Sequence, residues 1–297
     1  MDTRQLQTLV AIAEQGNFAA AARLVNLTPS AVSQQIAALE ADLGTPIFDR
    51  SRRPPALNAK GAQLLQSART ILQILADTRS GITGARVTGT LNIGSLRTGT
   101  FTLLPQAIGT LRPRYPELRF SLKVGKSEPL MNDVVSGRLD VAIVAEHVGV
   151  PQSLKWTPFL REPLVVIAPP GSEMRTAAEW IATYPYARYK SDVPLANQID
   201  TEISRLGIVP RDFIVVDTIA AVVECVKAGL GVAVVPLIAL RESDTQTLPW
   251  VPFDSPSVVR QLGIVQRMNS ARSEVITALL QELAAHSSPY QSGQSDD

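Results

Sequence analysis

The hydroxyls of Ser30 and Ser33 and the amide of Gln34 crowd into one short stretch, and the guanidinium groups of Arg50, Arg52 and Arg53 follow closely behind. Hydroxyls and amides are the side-chain groups that read base edges in a DNA major groove. Arginines hold phosphates or reach into a minor groove. The expected division of roles is therefore base reading by Ser30, Ser33 and Gln34, with apolar contact from Pro29, and backbone contact by Thr28, Arg50, Arg52 and Arg53. Double-stranded promoter DNA is the expected partner.

For this chemistry the groups must share a face. Thr28 suits a helix N-cap and Pro29 the first helical position. Val32, Ile36, Leu39 and Leu43 then make a core-facing stripe, which turns Ser30, Gln34, Ala37 and Ala41 to the opposite side, with Ser33 on its flank. Upstream, Leu6, Leu9, Val10 and Ala13 form the apolar side of a first helix ended by Gly16. Asn17 caps a second helix to about Asn26, with Phe18, Ala22 and Val25 inward. Only Leu27 and Thr28 separate it from the third helix, as in a helix-turn-helix, whose second member is the recognition helix. Residues 47–50 and 56–57 predict two short strands flanking a basic, proline-stiffened tip, which is a wing.

The runs Leu-Gln-Thr-Leu-Val-Ala-Ile-Ala-Glu-Gln-Gly-Asn-Phe (6–18), Ala-Ala-Ala-Arg-Leu (20–24), Thr-Pro-Ser-Ala-Val-Ser-Gln-Gln-Ile-Ala-Ala-Leu-Glu (28–40) and Leu-Gly-Thr-Pro-Ile-Phe-Asp-Arg (43–50) resemble the LysR-type transcriptional regulators. The resemblance implies a winged helix-turn-helix, a long dimerisation helix and a two-lobed effector domain. The family often has glutamine where this chain has Pro29.

Asn58 is placed to cap a helix from Ala59 to about Ser80. Its stripe of Leu64, Ala68, Ile71 and Leu75, widened by Leu65 and Leu72, needs a partner. Antiparallel pairing with the same helix of a second subunit, into a homodimer and then a homotetramer, is the expectation; packing on its own chain is the alternative. Gly81, Gly84 and Gly89 read as a hinge. From Thr90 strands and helices alternate, which predicts an α/β domain with a mainly parallel sheet. The expected strands are 90–95, 118–124, 140–145, 164–168, 186–189, 213–217, 231–235 and 258–265. The expected helices are 98–111, 127–137, 195–206, 218–229 and 271–285. The domains expected are a winged helix-turn-helix over 1–58, a dimerisation helix and hinge over 59–88, and a periplasmic-binding-protein-like α/β effector domain over 89–286. Lobe I takes about 89–161 and 267–286, and lobe II about 162–266. Residues 287–297 read as a disordered tail.

Ligands of open α/β sheets sit beyond the carboxyl ends of strands, at helix N-termini. Three junctions qualify: Ser95-Leu96-Arg97-Thr98, Gly125-Lys126-Ser127 and Thr218. Thr98, Ser127 and Thr218 each read as an N-cap. Together with Arg97, Lys126 and Lys190 they would line a cleft that favours a small anion, most simply a carboxylate. The LysR-type resemblance places the inducer between the lobes.

Catalysis is not expected. His147 and His286 stand beside no candidate nucleophile and in no metal-ligand spacing. Cys225 lies mid-helix as a small hydrophobe. Gly229-Leu230-Gly231 follows a helix, the reverse of a dinucleotide turn. No metal and no cofactor are implied. Of the 297 residues, 45% are hydrophobic and the net charge is +1. Residues 1–88 hold nine basic and six acidic side chains, so DNA binding must rest on a local cluster rather than a global field. A single cysteine and the lack of a signal-peptide pattern or membrane span point to the cytoplasm. The expectation is a ligand-responsive transcription regulator. The alternatives are a soluble small-molecule binding protein whose N-terminal domain mediates assembly only, and an α/β enzyme, against which the missing catalytic cluster argues.

Overall fold

The computed structural model describes residues 1–52, 54–83, 87–145, 149–241, 248–254, 258–270 and 272–291. Three helices open the chain. In α1 (Thr3–Gln15), Asp2 and Gln5 form a reciprocal capping box, and Gly16 ends the helix at φ 70°. The Asn17 side chain caps α2 (Phe18–Leu24), which stops short of Asn26. Asn26 itself adopts φ 55°, making the tight turn into α3 (Pro29–Leu43). Leu6, Leu9, Ala22, Val32, Ile36 and Leu39 close the core between them. Thr8, buried on α1, donates its hydroxyl to Gln35 Oε1 and so ties α1 to α3. The wing is the hairpin β1 (Phe48–Asp49) and β2 (Ala56–Leu57), with Phe48 opposite Leu57.

α4 (Ala59–Thr83) is a single helix of 25 residues, a rod of roughly 38 Å. Asn58 caps it, accepting the Gly61 N–H at 2.9 Å. Part of its stripe packs on its own chain, which was the alternative. Ala68 is fully buried, and Leu64, Leu65, Ile71 and Leu72 lean on the N-terminal core of their own chain. An apolar row next to α1 is covered first by the nearest apolar face, which α1 supplies. Among the described side chains of α4, Ile74 and Leu75 are the large apolar ones left exposed.

The rest of the chain forms two lobes. Lobe I contains β3 (Gly89–Ser95), α5 (Arg97–Phe101), α6 (Leu103–Leu111), β4 (Leu118–Val124), α7 (Ser127–Val135) and β5 (Val141–Ala145). The helix expected over 98–111 is thus broken at Thr102. β4, β3 and β5 are parallel neighbours. β6 (Leu154–Ile167) then runs through both lobes. Lobe II adds α8 (Ala177–Thr183), β7 (Pro185–Tyr189), α9 (Pro194–Arg205), β8 (Arg211–Val216), α10 (Ile219–Lys227), β9 (Ala233–Pro236), a 3-10 turn (Leu237–Arg241) and β10 (Trp250–Pro252). The chain returns along β11 (Val259–Arg267) and ends in α11 (Ser273–Gln291).

Three expectations need correction here. The sheet is mixed: β11 is antiparallel to β5 and β6, and β6 to β9 and β10. Two crossings laid side by side as antiparallel strands need no helical connection, so β6 and β11 form the shared spine of the lobes. The return to lobe I falls within β11, not near residue 267, since Leu262 to Gln266 already pair with β5. The expected tail begins too early: α11 continues to Gln291, with Ser287 and Tyr290 buried and the Ser287 hydroxyl bonded to Phe159 O at 3.3 Å. Residues 292–297 lie outside the described residues.

Each lobe has its own core. Leu91, Ile93, Leu104, Leu111, Ile143 and Leu279 lie on one face of the lobe I sheet under α6 and α11. Leu130, Met131, Val134 and Val144 lie on the other face under α7. In lobe II, Trp180, Tyr186, Ile199, Val222 and Val234 form a third cluster. Among the described residues, no helix is long and apolar enough to cross a membrane.

Candidate functional site

The first surface is the outer face of α3. Thr28 Oγ1 accepts the Ala31 N–H at 3.2 Å, so the cap is formed as its residue type suggests. Thr28, Pro29, Ser30, Ser33, Gln34 and Ala37 are all exposed. Two of the hydroxyls are partly engaged: Ser30 Oγ lies 3.0 Å from Thr28 Oγ1, and Ser33 donates to Pro29 O at 3.0 Å. The Gln34 side-chain amide makes no hydrogen bond to another described residue. The wing stands beside this face. Arg50 Nη2 donates to Glu40 Oε2 at 2.6 Å, and Arg52 Nε lies 3.4 Å from Asp49 Oδ2. Neither pairing hides the cation, since the two arginine side chains are 66% and 72% exposed. The Ser51 hydroxyl and N–H, bonded to Asp49 Oδ1, hold the Asp49 carboxyl below its ordinary value, with Arg52 adding to the effect. Lys60 donates to Thr45 at 2.9 Å. Arg53 lies outside the described residues.

The second surface is the edge where the lobes meet. The parallel order of β4, β3 and β5 brings their carboxyl ends together: Gly125 N–H bonds Ser95 O, and Leu96 N–H bonds Ile143 O. Ser95, Thr98, Lys126 and Ser127 therefore share one edge of lobe I. In lobe II, Lys190 N–H bonds Val216 O, which sets Lys190 beside Thr218. A direct contact joins the two edges: Lys126 Nζ donates to Asp192 O at 3.0 Å and lies 3.5 Å from its carboxylate.

The caps differ from expectation at two of the three junctions. The N-cap of α5 is Leu96 and that of α7 is Lys126, and neither makes a side-chain capping bond. Thr98 and Ser127 sit inside their helices, and their hydroxyls turn inward. Ser127 Oγ accepts the Ala145 N–H at 3.3 Å. Thr98 Oγ1 accepts from Arg260 at 3.3 Å. Ser95, also buried, donates to Leu96 O at 2.8 Å. Thr218 does cap α10, accepting the Ala221 N–H. Arg97 and Lys190 are exposed.

Behind Thr98 stands a feature missed from the sequence. Arg260 on β11 and Glu162 on β6 form a buried ion pair where the chain crosses between lobes: Nε lies 2.7 Å from Oε1, and Glu162 is fully buried. Little in the sequence marked the pair, because β6 also carries Lys155 and Arg161 and β11 also carries Arg267, so neither member stands out as a lone charge. A charge destined for burial needs such a partner. Asp192 was missed as well.

Among the described residues, the candidate catalytic side chains do not come together. His286 lies within α11, with Nε2 3.2 Å from Thr110 Oγ1. Cys225 packs against the lobe II core. His147 lies outside the described residues. Among the described residues no cluster of three His, Cys, Asp or Glu could hold a metal ion. A surface depression of about 700 Å³ beside α8, lined by Met174, Leu206 and Val251 among others, lies away from both surfaces.

Comparison with known proteins matches both parts of the chain. Residues 3–62 match the bacterial regulatory helix-turn-helix protein, lysR family, and residues 84–288 match the LysR substrate binding domain. A probable RuBisCO transcriptional regulator of Trichormus variabilis is 30% identical, covering 94% of this chain and 86% of the relative. A full-length OxyR variant of Pseudomonas aeruginosa superposes with a TM-score of 0.75 at 20% identity, covering 99% of both chains. Full-length CbnR in complex with its target DNA gives 0.63 at 21% identity, covering 96% of this chain and all of the other.

Proposed function

The chain belongs to the LysR family, a DNA-binding transcriptional regulator with a substrate-binding domain and not an enzyme, and on that premise we propose how its parts divide the work. Ser30, Ser33 and Gln34 read bases in the major groove, with Pro29 in apolar contact. Thr28, Arg50, Arg52 and Arg53 hold the sugar-phosphate backbone. The observation that carries this reading is the exposed, uncharged outer face of α3 beside the two exposed wing arginines. CbnR, of the same overall fold, is named as bound to its target DNA. Such a protein works where the DNA is, in the cytoplasm.

The effector is a small anion, most simply a carboxylate, held between the lobes. Two helix N-termini without side-chain caps, at α5 and α7, leave N–H groups and positive helix ends at that edge. Arg97, Lys126 and Lys190 add cations. Thr218 lines the lobe II side, while Ser95, Thr98 and Ser127 shape the wall with hydroxyls already satisfied inside it. Lys126 bridges to Asp192 in this state. An entering carboxylate competes with Asp192 for Lys126 and so changes the angle between the lobes, which alters the spacing of the DNA-reading heads.

Two copies pair through α4. Ala68 serves the core of its own chain, so the seam is formed by Leu75 and Ile74 with the uncovered parts of Leu64, Ile71 and Leu72. Pairs of dimers give a homotetramer.

A melting series on the full-length protein tests the effector reading. One small organic carboxylate, at 100 times its dissociation constant, should stabilise the protein by about 2.7 kcal/mol and change its mobility on DNA. A protein that responds only to neutral ligands, or whose ligand leaves the DNA complex unaltered, contradicts the reading.

A further inference from the structure

Glu40 stands near the end of α3, yet its side chain is only 11% exposed. Oε1 accepts the backbone N–H groups of Ile47 at 2.8 Å and of Phe48 at 3.2 Å. Oε2 accepts from Arg50 Nη2 at 2.6 Å. Phe48 opens the wing: it pairs with Leu57, and its ring packs 5.1 Å from that of Phe18 at the start of α2. One carboxylate therefore joins the reading helix, the first wing strand and an arginine of the wing. Only one donor of the Arg50 fork is used on Glu40, and the side chain is otherwise 66% exposed, so further N–H groups remain for a phosphate.

We propose that Glu40 is a positioning residue for DNA binding, which locks the wing to the recognition helix and holds Arg50 ready for a backbone phosphate. This rests on the reading of Arg50 as a phosphate contact. A free arginine loses rotamer freedom when it meets DNA; one already held by a carboxylate lost that freedom on folding, and its complex is tighter. Charge acts in the opposite direction. The Glu40 carboxylate neutralises part of Arg50 and repels a phosphate. A variant that removes the charge but keeps the backbone contacts separates the two effects by sign.

Glu40→Gln is that variant. Its carbonyl oxygen still accepts the N–H groups of Ile47 and Phe48, while the charge-assisted bond to Arg50 is lost. The measurement is binding of the full-length protein to a genomic fragment that it selects, titrated over a range of salt concentrations. Glu40→Gln is expected to melt close to the wild type and to bind about tenfold more weakly with an unchanged salt slope. Arg50→Ala is expected to bind more weakly with the slope lowered by about one per protomer. The double variant Glu40→Gln/Arg50→Ala is expected to bind no more weakly than Arg50→Ala alone. If Glu40→Gln folds poorly, Arg50→Lys makes the same comparison: it keeps the charge and the slope but lacks the fork that spans carboxylate and phosphate, and its affinity should fall. Tighter binding by Glu40→Gln, a Glu40→Gln loss that persists in the Arg50→Ala background, or Arg50→Lys binding as well as the wild type overturns the proposal while leaving Arg50 a phosphate contact. An Arg50→Ala protein with unchanged affinity and slope overturns that reading and the proposal with it.

Discussion

Gln34 projects from α3 with its amide uncommitted, whereas Ser30 and Ser33 share their hydroxyls with Thr28 and the Pro29 carbonyl. Base reading should therefore depend most on Gln34. Gln34→Ala is expected to lose about 1–3 kcal/mol at the specific site and to relax sequence preference there. Arg52→Ala should weaken binding to every sequence alike and lower the salt slope by about one per lost phosphate contact. Competitive binding to selected and scrambled duplexes checks both, and a reversal of the two patterns contradicts the division of roles. Glu162 and Arg260 make a different kind of residue-scale prediction. Removing one partner strands the other charge in the interior, so Glu162→Leu should destabilise the effector domain by about 3–5 kcal/mol in denaturant unfolding. The double variant Glu162→Leu/Arg260→Leu should recover most of that loss. The exposed members of the reading face were legible from helical spacing alone. The inward turn of the Thr98 and Ser127 hydroxyls was not, because a cap and a first-turn residue differ by one or two positions and sequence sets boundaries no more finely.

At the scale of elements, α7 presents its N-terminus to the cleft and its buried Asp133 to the opposite side. Burial opposes the Asp133 charge, but hydrogen bonds from Lys123 and Arg138 outweigh it and hold the carboxyl below its ordinary value. A carboxyl depressed on folding stabilises the fold above its unfolded pKa, and this contribution disappears as pH falls through the folded value. Lobe I should thus lose stability as the medium is acidified below the ordinary aspartate range. Asp133→Asn should start less stable at neutral pH and show a flatter acid limb in melting scans. The Lys126 contact to Asp192 is exposed, hence worth little to stability. Its loss should appear in ligand affinity instead: Asp192→Asn is expected to raise affinity for a carboxylate about twofold to fivefold, the range of an exposed pair. An unchanged or lower affinity argues against competition at Lys126. Most strands and helices followed from periodicity, and β4 has the expected limits. β6 was read as only 164–168 because Pro158, Arg161, Glu162 and Pro163 interrupt the apolar run. The partners that tolerate them, β11 and Arg260, lie far along the chain. α8 was missed although its capping box, Thr176 with Glu179, was readable.

At the scale of the whole molecule, three compact bodies hang on one long helix and a two-stranded spine. The seam on α4 distinguishes two outcomes. Leu75→Asp places a charge on an exposed apolar site and should abolish dimerisation while the winged domain stays folded. Ala68→Asp buries a charge in that domain and should unfold it. Sedimentation together with circular dichroism separates the two, and a Leu75→Asp protein that remains dimeric moves the seam elsewhere. The α/β class of the effector domain was legible from strand-helix alternation; the lobe boundary, read at residue 267, was not, since β11 belongs to both lobes and carries no local sign of the change. The central claim is that the outer face of α3 selects particular DNA. Its most direct test is to sequence genomic fragments retained by the purified full-length protein and by its Gln34→Ala variant. A small set of fragments sharing a two-fold-related motif, enriched by the wild type and reduced or broadened by Gln34→Ala, is the predicted result. Retention without sequence preference, or the same enriched set from both proteins, would contradict it.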